Sequence, residues 1–84
     1  MRLDHPGEYN KARQALVVRL TEKLDLSRAQ ELTSEATKRE VRLVAARICE
    51  VGMVEVSARL RDRVIDDAVE FVLQRELLRR AKHS

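Results

Sequence analysis

Few side chains in this 84-residue chain could do covalent chemistry, and their spacing keeps them apart. A nucleophile needs a base beside it. The one cysteine, Cys49, has no histidine near it in sequence, because His5 and His83 stand at the two ends. A lone cysteine also rules out an intramolecular disulfide and a Cys-rich metal site. It reads as a small buried apolar residue in a reducing compartment. Asp62, Asp66 and Glu70 recur at steps of four, with Asp67 alongside, so a helix would set three carboxylates on one face. Such a face could do acid–base or metal work. Arg59, Arg63 and Arg75 in the same stretch point instead to ordinary surface ion pairing. No Asp-rich calcium loop occurs, and Gly7 and Gly52, the only glycines, cannot build a phosphate-cradling loop. The expectation is a non-enzymatic chain with no cofactor or metal.

The elements that would position these residues are helices. Gly and Pro are almost absent, so sharp turns and many-stranded sheets are not expected. Asp4-His5-Pro6-Gly7 reads as a loose lead over residues 1–7. The first helix is predicted from Glu8 to Leu24, with Tyr9, Ala12, Leu16, Leu20 and Leu24 on one stripe and Val17 widening it. Tyr9 is read as a core anchor at the helix start rather than a ligand contact. Ser27 and Gln30 form a capping-box pattern, and Thr33-Ser34 offers a second start signal. Residues 28–32 are therefore either a short extra helix or the beginning of a longer one. The second main helix is predicted over 34–51, with Ala36, Val41, Val44, Ala45, Ile48 and Val51 inward, Lys38, Arg39 and Arg42 on the polar side, and Gly52 just past its end. Apolar residues at 54, 56, 58 and 60 alternate as in a strand. Ser57 as an N-cap, followed by Leu60, Val64, Ala68 and Val72 at steps of four, predicts a third helix from 57 to about 80. Residues 53–56 are then a linker turn, with a short strand as the alternative. Residues 81–84 form a basic tail whose cations complement the helix dipole.

The predicted fold is all-α: a small up-down bundle of three main helices forming one domain over residues 8–80. Its expected core is Leu16, Leu20, Leu24, Val41, Val44, Ile48, Leu60, Val64, Ala68 and Val72. Charged residues make up 37% of the chain, a level that raises the question of disorder. The 44% hydrophobic content and its periodicity answer it in favour of a fold. No leader-like or membrane-spanning apolar run is visible, so the expected location is the cytoplasm. With two aromatics, Tyr9 and Phe71, the core is thin, and a partner or second copy would supplement it. The last helix is apolar over more than one face. Phe71, Leu73, Leu77 and Leu78, with Arg79 and Arg80, are the candidate partner-binding residues. A protein partner and a homodimer are expected. A net charge of +3 also permits nucleic acid, but acids are interleaved with the bases and no aromatic stacking platform exists. A small nucleic-acid-binding regulator, of the antitoxin or repressor kind, therefore stays open as the alternative.

One ordered set of residues goes further: Tyr9, Leu16-Val17, Leu20, Leu24-Asp25-Leu26-Ser27, Arg39-Glu40-Val41 through Ile48-Cys49-Glu50, Val56-Ser57, and Arg61-Asp62-Arg63-Val64-Ile65-Asp66-Asp67. Over about residues 9–70 it resembles the N-terminal helical region of the CpaF/TadA-type ATPases that drive Tad (Flp) pilus assembly and related type IV filament machines. In that family the third helix leads into a Gly-x-Gly-Pro-Leu segment. Here Phe71-Val72-Leu73-Gln74-Arg75-Glu76-Leu77-Leu78 continues the helix instead. The family's nucleotide-binding and hydrolysis residues lie beyond that point, so none carries over. The resemblance implies an accessory helical domain that docks to, or regulates, a secretion or pilus motor.

Overall fold

Two helix-ending signals in the sequence divide the chain as their chemistry requires. The computed structural model describes residues 6–24 and 34–83, and holds three helices: α1 (Pro6–Lys23), α2 (Glu35–Glu50) and α3 (Ala58–His83). Ser34 caps α2, its hydroxyl accepting from the Thr37 N–H at 3.1 Å. At the other end Gly52, at φ 83°, reverses the chain. Its N–H reaches the Cys49 carbonyl at 3.2 Å and the Met53 N–H reaches the Ile48 carbonyl at 3.1 Å. This is the double-bonded glycine stop that satisfies the last carbonyls of a helix.

The bundle is all-helical, with no strand among the described residues. Residues 51–57 form the α2–α3 connection, so the linker reading of 53–56 holds over the strand alternative. The alternation there has a local cause: Val54 is buried under the bundle while Glu55 faces solvent. Two boundaries differ from the sequence reading. α1 begins at Pro6, so Pro6 and Gly7 are helix rather than lead, because a proline in the first turn has no N–H to waste and a preset φ. α3 runs to His83, so most of the basic tail is its final turn. Residues 28–32, where an extra helix was considered, lie outside the described residues.

The helices run up, down and up. Tyr9 meets Asp67 and Arg13 meets Phe71, so α1 and α3 point the same way. Arg42 meets Asp66, and a cleft between α2 and α3 passes from Glu35 to Leu73, so α2 runs against both.

The core takes Leu16 and Leu20 from α1, Val41, Ala45 and Ile48 from α2, and Val64, Ala68 and Val72 from α3, all buried. Leu24, Val44 and Leu60, expected inside, are only partly buried and pack against its margin. Ile65, Val69 and Leu73 are buried as well. The reason is that α3 packs on two helices at once, so it needs a second inward stripe one residue on from the first.

Candidate docking face

α3 outlasts its neighbour. Its 26 residues reach about 39 Å, against about 24 Å for the 16 residues of α2. Since Leu73 already lies level with the start of α2, residues beyond it have no α2 beside them. The inward side chains stop there too: over residues 74–82 no side chain of α3 is fully buried.

The candidate partner-binding residues therefore divide. Leu73 is a core residue at 5% exposure, which removes it from the set. Phe71 at 43%, Leu77 at 40% and Leu78 at 66% stand in solvent on the outer side of α3. Gln74, also exposed, lies between them on the same face, a position the sequence reading did not single out. Arg79 and Arg80 both turn back to Glu76. Arg79 binds it with two bonds, Nε to Oε1 at 3.2 Å and a terminal nitrogen to Oε2 at 2.7 Å, and Arg80 Nε lies 3.4 Å from Oε2. The Arg79 bonds lead in holding the Glu76 carboxyl below its ordinary range, and Arg80 adds to them. The same contact raises the Arg79 guanidinium. This trio is a local clasp on α3, with Glu76 largely covered by its two partners.

Phe71 sits between two cations, Arg13 at 5.5 Å and Arg75 at 5.9 Å from the ring centre. Stacked guanidinium planes hold an aromatic ring at a surface without burying it. Arg63 covers Tyr9 in the same manner at 5.6 Å. The Tyr9 hydroxyl donates to the Asp67 carboxylate. That bond, followed by partial burial, raises the Tyr9 pKa above its usual 10.0. Tyr9 is thus half-buried and tied to α3, as an anchor would be. Spacing could not reveal this pairing, since the partners are 58 residues apart.

The carboxylate face disperses on folding. Asp66 pairs with Arg42 of α2. Its Oδ1 is screened from solvent with no well-angled hydrogen-bond donor, so the ion pair is its compensation. Asp67 binds Tyr9, and Glu70 has no ion pair among the described residues. No three His, Cys, Asp or Glu side chains among the described residues converge on a metal-sized site. Cys49 is half-buried beside the core. Burial raises its thiol pKa, with Arg61 opposing, so the reactive thiolate is disfavoured near neutral pH. No described helix is long and apolar enough to cross a membrane.

No protein-family description, curated protein or solved structure matches the chain.

Proposed function

We propose that the protein is a non-enzymatic helical interaction module, acting in the cytoplasm and docking through the outer face of α3. The observation that carries this is the exposure of Phe71, Leu77 and Leu78 on a helix whose opposite side is already committed to the core. Exposed apolar side chains grouped on one rigid element mark an interaction site more often than scattered ones do. A helix supplies such a face as anchors three, four and seven residues apart. The resemblance to the helical region of pilus ATPases makes a secretion or pilus motor the first assembly to try.

The test is a pull-down at about 200 mM salt, where phosphate-driven binding is already much weakened. It compares the wild type with Leu78→Arg and with Leu43→Arg. Leu43 is as exposed as Leu78, at 65%, but lies on α2. A protein lost with Leu78→Arg and kept with Leu43→Arg supports docking through α3. Equal retention by both variants refutes it. Nucleic acid that washes off as salt rises, with no protein retained, would favour the regulator reading, for which the α2 cations Lys38 and Arg39 are the first contacts to test, Arg42 being paired with Asp66.

A further inference from the structure

We draw no further inference here: the strongest candidate, the cleft between α1 and α3 where Arg13, Arg63 and Arg75 stack on the Phe71 and Tyr9 rings, carries nothing because Asp67 and Glu70 line the same cleft and offset those cations, and nothing in the structure shows what covers it.

Discussion

Leu73 and Leu78 lie five residues apart on one helix, and the bundle assigns them opposite fates. Leu73 is 5% exposed and Leu78 is 66% exposed. Truncating each to alanine therefore separates packing from display. Leu73→Ala removes buried methyl groups and leaves a cavity between α2 and α3, which destabilises by about 3 kcal/mol. A domain of 84 residues has a total stability of about 4–13 kcal/mol. The loss should therefore lower the melting temperature by about 12–24 °C. Leu78→Ala gives up contacts over only about a third of its surface and gains slightly in helix propensity. Its effect should stay within about 0.5 kcal/mol of zero. The assay is urea unfolding followed by circular dichroism at the lowest workable concentration, so that self-association adds nothing to the apparent stability. If Leu78→Ala cost as much as Leu73→Ala, the outer face of α3 would be packed within one chain and the docking reading would fail. A cost below about 1 kcal/mol for Leu73→Ala would mean that the α2–α3 contact is not a formed core.

Three further outcomes follow from the same geometry. Tyr9 is the only tyrosine, so its ultraviolet titration reports one group, and its midpoint should lie above 10.0 in the folded chain and fall in Asp67→Asn. Because the folded pKa is raised, the stability that this contact gives is complete below pH 10 and is lost as pH rises through the folded value; Tyr9→Phe should cost about 1 kcal/mol at neutral pH. Glu76 has the opposite sign: its pKa is depressed, so the Arg79–Glu76–Arg80 clasp stabilises above about pH 4.5 and fades as pH falls through the lower folded value. A melting-temperature profile from pH 6 to 2 should fall more steeply for the wild type than for Glu76→Gln, and superimposed profiles would contradict the clasp. Gly52→Ala should destabilise by about 1 kcal/mol through its left-handed φ alone, since open space surrounds the added Cβ, and thermal melts compare it with Gly7→Ala, which has equal space and an ordinary helical backbone.

Much of the fold follows from local chemistry that the residues carry with them. Ser34 offers a hydroxyl to orphan N–H groups wherever a helix starts, and Gly52 alone can reverse the chain after Val51 at no steric cost. Leu16, Leu20, Val41, Ile48, Val64, Ala68 and Val72 repeat at helical steps, which makes them inward-facing before any partner is specified. The exposed members of the docking face, Phe71, Leu77 and Leu78, were also legible as apolar residues in excess of one stripe.

What only the tertiary structure decided is which stripe is used, and by what. Periodicity gives α3 two usable apolar stripes, and the choice depends on where α1 and α2 lie against it. That choice drew Leu73 inward and left Leu78 outside. Contacts between distant residues were equally out of reach. The Tyr9 hydroxyl on Asp67, Arg13 on Phe71 and Arg42 on Asp66 each need two helices placed side by side. The placement arises from burial summed over the whole core, and no single spacing encodes it.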